Sequence, residues 1–224
     1  ISTESGIPDY RSPGTGLWQK EDPMDVASVS AFNRDPAAYY CKALERWKKW
    51  MNAEPNAAHH ALARLEKMGY LAGVITQNVD SLHKKAGSVN LWEVHGHMRT
   101  CYCVTCARRY PFDDLLEQFY GGINPPRCEV CGGILRPCIV LFGDEMNEEY
   151  YGAVKAITGC RLLLAAGSSL QVYPVAGLTG MADQLVIINK DPTPWDGQAA
   201  VVINESTGKV FTDILARLEK RYEQ

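Results

Sequence analysis

The stretch Ala72-Gly-Val-Ile-Thr-Gln-Asn-Val-Asp80 begins with a short β-branched run and ends in three polar side chains, Gln77, Asn78 and Asp80. An apolar run this short, bounded by polar residues, reads as a buried strand over residues 72–76. Arg161-Leu-Leu-Leu-Ala-Ala-Gly-Ser-Ser169 repeats the pattern and finishes in a Gly-Ser-Ser turn. Leu185-Val-Ile-Ile-Asn-Lys190 repeats it again and delivers Asn189. Residues 139–142 and 200–203 supply two further strand-like runs. Helical patterns alternate with them. Asn56 can cap a helix that runs to Met68, with Gly69 as its stop and Leu62 and Leu65 on its inner face. A last helix over residues 212–222 would place Phe211, Ile214, Leu215, Leu218 and Tyr222 on one stripe. This alternation predicts an α/β fold, a Rossmann-like parallel sheet covered on both faces. In such sheets ligands bind beyond the carboxyl ends of the strands, where the polar groups above are placed.

Two segments interrupt the rhythm. Residues 17–52 read as helical, with Asp35-Pro36 as N-cap and first turn and with Tyr39, Tyr40, Leu44 and Trp47 for apolar contacts. Residues 98–135 carry Cys103-Val-Thr-Cys106 and Cys128-Glu-Val-Cys131. Two such knuckles can close a tetrahedral tetrathiolate shell around zinc, and that shell has no vacant position. One structural Zn²⁺ is therefore expected, and the chemistry must lie elsewhere. Just upstream is Trp92-Glu-Val-His95-Gly96, which makes His95 the first candidate. Cys101 also neighbours Cys103, but the C-x-x-C spacing favours Cys103 as the ligand. The expected division is a sheet domain of residues 1–16, 53–97 and 136–224. Residues 17–52 and 98–135 would form a smaller domain from an inserted helical module and a zinc ribbon.

With 224 residues, 46% of them hydrophobic and 22% charged, the chain can bury a core of its own. A formal charge of -3 gives no global positive field toward nucleic acid or an anionic membrane. The run Arg46-Trp47-Lys48-Lys49 reads as a solvated helix face. No stretch approaches the ~18 to 20 apolar residues that span a bilayer. Paired knuckles among eight cysteines fit reduced thiolates, so an intracellular, cytoplasmic setting is expected. No G-x-G-x-x-G is present, which disfavours a simple NAD dehydrogenase. A zinc-ribbon module that binds nucleic acid is a non-enzymatic alternative; the acidic charge and the His95 segment weigh against it.

A polar residue ending one strand is commonly a turn former. Three at successive strand ends, with His95 between the first and the knuckles, point instead to a site. The turn at Gly167, Ser168 and Ser169 can hold phosphate through amides and hydroxyls, and Asn189 suits a ribose hydroxyl. Other candidates read as structural or surface residues. His59 and His60 lie on an amphipathic helix, His83 buttresses the Gln-Asn-Val-Asp loop, and His97 meets a shell already filled by four thiolates. Cys41, Cys138 and Cys160 are expected to be small buried residues. Trp18, Trp47 and Trp50 are expected in a core or an interface.

The start of the chain, Ile1-Ser-Thr-Glu-Ser-Gly-Ile-Pro-Asp-Tyr-Arg-Ser12, resembles the signature loop of the sirtuins, the NAD-dependent protein lysine deacylases. Thr76-Gln-Asn-Val-Asp-Ser-Leu-His83 is similar to the second signature, and Glu93-Val-His-Gly96 to the catalytic histidine motif. The two knuckles, Ile139-Val-Leu-Phe-Gly-Asp144, Gly167-Ser-Ser-Leu-Gln-Val-Tyr-Pro174 and Ile187-Ile-Asn-Lys190 follow in the family's order. The resemblance covers nearly the whole chain. The family's Gly-Ala-Gly would directly precede Ile1, so the natural protein is expected to extend upstream.

The resemblance implies NAD as co-substrate. Ser2, Asp9, Tyr10 and Arg11 would belong to the cofactor loop, with Tyr10 where the family often has Phe. Gln77, Asn78 and Asp80 would form the nicotinamide-ribose pocket. Gly167, Ser168, Ser169, Asn189 and Lys190 would meet phosphate and adenosine ribose. An acyl-lysine peptide would insert as a third strand between Val140, Phe142, Gly143 and Asp144 on one side and Gln171, Val172 and Tyr173 on the other. In this reading the amide oxygen of acyl-lysine captures C1′ as nicotinamide departs. His95 is the general base on the ribose hydroxyls, Asn78 positions a hydroxyl or water, and Asp80 holds the ribose or its loop. The products would be free lysine, nicotinamide and O-acetyl-ADP-ribose. An NAD-consuming mono-ADP-ribosyltransferase or NADase on the same fold is the alternative. Desuccinylating sirtuins carry a Tyr-x-x-Arg pair; Ala43 and Arg46 stand at those places, which implies a preference for uncharged acyl groups.

Overall fold

A computed structural model describes residues 1–10, 14 and 16–222 of the chain, without the side chains of Lys49 and Tyr222. Its strands are β1 (Val74–Thr76), β2 (Leu91–Glu93), β3 (Gly96–Cys103), β4 (Arg109–Pro111), β5 (Leu135–Ile139), β6 (Leu162–Ala166), β7 (Gln184–Ile188) and β8 (Val201–Ile203). The helices are α1 (Pro23–Val26), α2 (Val29–Arg34), α3 (Pro36–Met51), α4 (Ala57–Lys67), α5 (Leu82–Ala86), α6 (Phe112–Tyr120), α7 (Glu148–Ile157) and α8 (Thr207–Tyr222). Arg11 lies outside the described residues.

The parallel character expected from the apolar runs is present. β1 pairs with β2 in parallel, and β6, β7 and β8 form a second parallel sheet in that order. Helices α4 and α8 cover them through a core of Leu62, Leu65, Val74, Ile188, Val210 and Phe211. On α7, Ala153 and Ile157 pack with Val94, Val175 and Leu178 in a separate cluster. The cap of α4 follows from its sequence: the Asn56 carboxamide accepts from the amides of Ala58 and His59, and the Asn56 amide donates back to His59 Nδ1. That reciprocal bonding satisfies donors that every helix start leaves open.

The helical segment and the cysteine segment share one core. Tyr40, Leu44 and Trp47 of α3 meet Cys101, Cys103, Phe112, Leu115 and Leu135 there, and the Tyr40 hydroxyl donates to the Leu135 carbonyl. Burial of each large apolar side chain contributes roughly 1.5–3 kcal/mol, so these contacts join the two segments firmly. β3 is the middle strand of an antiparallel sheet, with β4 and β5 on its flanks. Pro137 sits in β5 at the edge, where the missing N–H costs no ladder bond.

Four expectations need correction. The strand read at residues 139–142 ends at Ile139 and lies in the antiparallel sheet. Beyond it the Val140 amide donates to the His95 carbonyl, and Phe142 pairs across to Ala27 and Val29. The run is therefore bonded to the helical segment, which its local sequence does not announce. The last helix begins at Thr207, five residues ahead of its expected start, because the Glu4 carboxylate accepts from Thr207 Oγ1 and from the Gly208 amide. That cap comes from the other end of the chain. Cys41 is exposed, and Cys138 and Cys160 are only half-buried, because their chemistry did not fix which face they occupy. In the run 46–49, Trp47 is buried and the Arg46 side chain is only 14% exposed, since Arg46 donates to the Val26 carbonyl and pairs with Glu21.

Candidate active site

The carboxyl end of β1 runs into Gln77, Asn78 and Asp80, and this loop is tied by local chemistry. Thr76 Oγ1 accepts from the Asn78 amide at 3.1 Å, and Asp80 Oδ1 accepts from the Leu82 amide at 2.9 Å. Ser2 then joins two of the side chains. Its hydroxyl donates to Asp80 Oδ2 at 2.7 Å and accepts from Asn78 Nδ2 at 2.8 Å. Gln77 Nε2 reaches Ser168 Oγ at 3.4 Å, so the loop after β1 touches the turn after β6. Three segments distant in sequence thus meet at one crevice.

His95 follows β2 and lies beside this loop. Its Nδ1 is 3.1 Å from the Gln77 carbonyl, and a carbonyl oxygen can only accept, so Nδ1 carries the proton. Nε2 is then the basic nitrogen, which is the tautomer a general base requires. The position depends on Gly96. It has φ +76, and a Cβ there would stand 2.0 Å from the Cys138 carbonyl oxygen. No side chain is tolerated at that point of contact between β3 and β5.

The β6 turn and the β7 end complete the polar wall. Gly167 has φ +59, and a Cβ on it would lie 2.3 Å from the Ile1 nitrogen. Ser168 Oγ accepts from the Leu170 amide, and Asn189 Nδ2 donates to the Asp191 carbonyl. Ser169 and Lys190 line the same space, as do Asp9 and Tyr10. Tyr10 packs on Trp18 at 4.9 Å and on Trp50 at 5.9 Å between ring centroids. The whole cavity has a volume of about 1520 Å³.

Val140, Phe142, Gly143 and Asp144 line this cavity, and so do Gln171, Val172 and Tyr173. Tyr173 is 69% exposed, so this end opens to solvent. Asp144 also has a structural task. Its carboxylate pairs with Arg136, and Oδ2 also accepts from the Leu141 amide, which shapes the loop from Leu141 to Asp144.

The sulfurs of Cys103, Cys106, Cys128 and Cys131 all lie within 4.8 Å of one another. Cys103 and Cys131 are 3.4 Å apart and Cys106 and Cys128 3.7 Å. Tetrahedral zinc with Zn–S of about 2.3 Å needs sulfurs roughly 3.8 Å apart, so the four thiols fit a structural zinc. Cys101 is outside the cluster, its thiol directed at the Pro111 carbonyl and pushed up to about 12 by burial. Tyr110 was overlooked in the sequence. Its hydroxyl is 2.9 Å from Cys128 Sγ and holds that thiol down at about 6. No local signal marks it, because the contact depends on the pairing of β4 with β3 opposite Cys101. His59 and His83 form a buried edge-to-face pair with centroids 4.7 Å apart. Both are thus structural, as expected.

The model of the Sir2 family matches residues 1–174. The chain is 48% identical to an NAD-dependent protein deacetylase 2 of Caldanaerobacter subterraneus subsp. tengcongensis, over 96% of this chain and 86% of that protein. It is 46% identical to an NAD-dependent protein deacetylase of Caldivirga maquilingensis, over 96% of this chain and 84% of that one. A solved Sir2 variant with deacetylated p53 peptide and 3′-O-acetyl-ADP-ribose superposes with a TM-score of 0.91 at 34% identity, covering 97% of this chain and 89% of that one. With its four thiols, its crevice loop and its His95 segment in this arrangement, the chain belongs to the Sir2 family.

Proposed function

We propose that this protein is an NAD-dependent protein lysine deacetylase that forms free lysine, nicotinamide and O-acetyl-ADP-ribose. The observation that carries the reading is the meeting of His95, with its proton held on Nδ1, and the Ser2–Asn78–Asp80 cluster in one cavity. The same cavity opens between residues 140–144 and 171–173, so a peptide backbone and a polar crevice are served together.

NAD, when bound, supplies an activated C1′ whose bond to a cationic leaving group breaks readily. The chain's residues then have separable tasks. Gly167, Ser168, Ser169, Asn189 and Lys190 hold phosphates and adenosine ribose. Ser2, Gln77, Asn78 and Asp80 orient the nicotinamide ribose, and Asp9, Tyr10 and Arg11 cover it. Val140, Phe142 and Gly143 face Gln171, Val172 and Tyr173 across the peptide, which gains affinity from main-chain hydrogen bonds. Asp144 supports that edge through Arg136. His95 Nε2 takes a proton from the ribose hydroxyls as general base. Asn78 positions a hydroxyl or water for that step. Cys103, Cys106, Cys128 and Cys131 hold zinc away from the reaction.

The organisation follows the same lines. Residues 1–16, 53–97 and 136–224 form the NAD-binding domain, and residues 17–52 and 98–135 the smaller one, joined by the shared Tyr40–Trp47 and Phe112–Leu135 core. Among the described residues no helix is long and apolar enough to cross a membrane. Four thiols arranged for a metal favour a reducing, cytoplasmic setting.

Uncharged acyl groups are the preferred cargo. Arg46 gives Nη1 to Glu21 and Nη2 to the Val26 carbonyl, and Ala43 offers no phenol. Incubation with NAD and an acetyl-lysine peptide should give deacetylated peptide, nicotinamide and O-acetyl-ADP-ribose by mass spectrometry. Nicotinamide release that proceeds equally without peptide would instead establish an NADase or ADP-ribosyltransferase.

A further inference from the structure

We propose that Arg99 is a positioning residue that locks the His95 segment to the Asn78–Asp80 loop through Glu93 and Ser81. The inference rests on the deacetylase reading above and assigns a role to a side chain of β3.

Arg99 projects from β3 toward both segments. Its Nη1 donates to Ser81 Oγ at 2.6 Å and to Glu93 Oε1 at 2.7 Å, and its Nη2 donates to Glu93 Oε2 at 2.5 Å. The guanidinium thereby grips Glu93 with two parallel bonds and spares one donor for Ser81. Glu93 is the last residue of β2, two positions before His95, and its carboxylate is buried. A buried carboxylate keeps its charge only when paired, so Glu93 fixes Arg99 as firmly as Arg99 fixes Glu93. Ser81 follows Asp80 directly and is buried with φ 65, a left-handed conformation uncommon for a residue with a side chain. Such a conformation persists where its surroundings over-determine it, and such residues concentrate at functional sites. Three bonds hold it here: Arg99 to the Ser81 hydroxyl, the Lys85 amide to the Ser81 carbonyl, and, spanning it, the Leu82 amide to Asp80 Oδ1.

The two segments already share main-chain ties. The Val94 amide donates to the Thr76 carbonyl, and His95 Nδ1 faces the Gln77 carbonyl. The Met98 amide carries those ties on to the Val79 carbonyl. Arg99 adds a side-chain link one residue past Asp80, at Ser81, and Asp80 is joined through Ser2 to Asn78. Holding these side chains before the reactants arrive removes an ordering cost from binding and from the reaction.

The test uses the full chain with zinc bound. Ser81→Ala removes only the third contact and leaves the Glu93–Arg99 pair whole, so the fold is retained. It should weaken NAD binding by calorimetry about 10-fold and raise KM for NAD in parallel, with KM for acetyl-peptide within about twofold of wild type. Arg99→Lys keeps the charge, loses the fork, and should shift the same constants in the same direction. NAD affinity and kcat unchanged in both variants overturns the proposal, and so does a lowered Tm with unchanged kinetics, which marks a purely structural contact. Failure of wild-type protein to deacetylate any peptide would sink the deacetylase reading alone, because the calorimetric comparison needs no turnover.

Discussion

The four-cysteine cluster and the His95 crevice are built in opposite ways. The cluster takes its four groups from two short knuckles, each with its own tight turn, and all four point at one centre. The crevice takes its groups from residue 2, residues 77–80, His95, residues 167–169 and residues 189–190, which meet only when β1, β2, β6 and β7 are in place. A tetrathiolate shell is closed and saturated, so it stabilises and does not react. A crevice at strand ends leaves hydrogen-bonding capacity pointed at space, so it can bind and react. The difference should appear as different failures on substitution.

The largest effect is expected at the metal. Cys128→Ala should abolish stoichiometric zinc by elemental analysis and leave the β3–β5 segment unfolded or aggregated, because structural zinc in small modules contributes on the order of 10 kcal/mol to folding. Soluble, active protein without metal would refute the assignment. His95→Ala should do the reverse. Deacetylation should fall by at least ~100-fold, as loss of a general base commonly causes, while the fold and NAD binding survive. Product formation near the wild-type rate removes His95 from that role.

Acyl choice tests the crevice on a finer scale. With Arg46 committed to Glu21 and Val26, a succinyl carboxylate finds no partner pair. Succinyl-lysine should be disfavoured by roughly 10- to 100-fold in kcat/KM against acetyl-lysine on one peptide, the worth of one lost hydrogen bond to a charged group. A clear succinyl preference overturns this. Tyr110→Phe probes the boundary of the metal site. Removing the hydroxyl next to Cys128 should weaken zinc retention about 10-fold in a chelator competition, with little change in catalysis.

Acidification tests a region outside both sites. Burial holds His59 and His83 at about 4 in the fold, against about 6.5 for a free imidazole. Between those values the unfolded chain binds more protons, so stability is full above about 6.5 and declines as pH falls toward about 4. Urea midpoints compared at neutral pH and at pH 5 check this, and an unchanged midpoint takes the pair out of the account.

Much of this molecule was legible in residue order. The Asn56 cap, the Asp35-Pro36 helix start, the apolar runs near residues 74, 164 and 186 and the two knuckles are local devices, and each turned up where its chemistry demanded. Polar residues at successive strand ends marked the crevice for the same reason: alternation of strand and helix fixes which ends face one way. What tertiary structure alone decided depends on partners far along the chain. Glu4 caps α8, Phe142 pairs with Ala27 and Val29, Tyr110 reaches Cys128, and Ser2 bridges Asn78 and Asp80. Short-range propensity carries no information about such pairings, because their hydrogen bonds close only after the sheets and helices have packed. The sequence by itself determined most of the elements, the four-thiol cluster and the kind of chemistry. The tertiary structure decided which nitrogen of His95 holds the proton, since that follows from a carbonyl eighteen residues away.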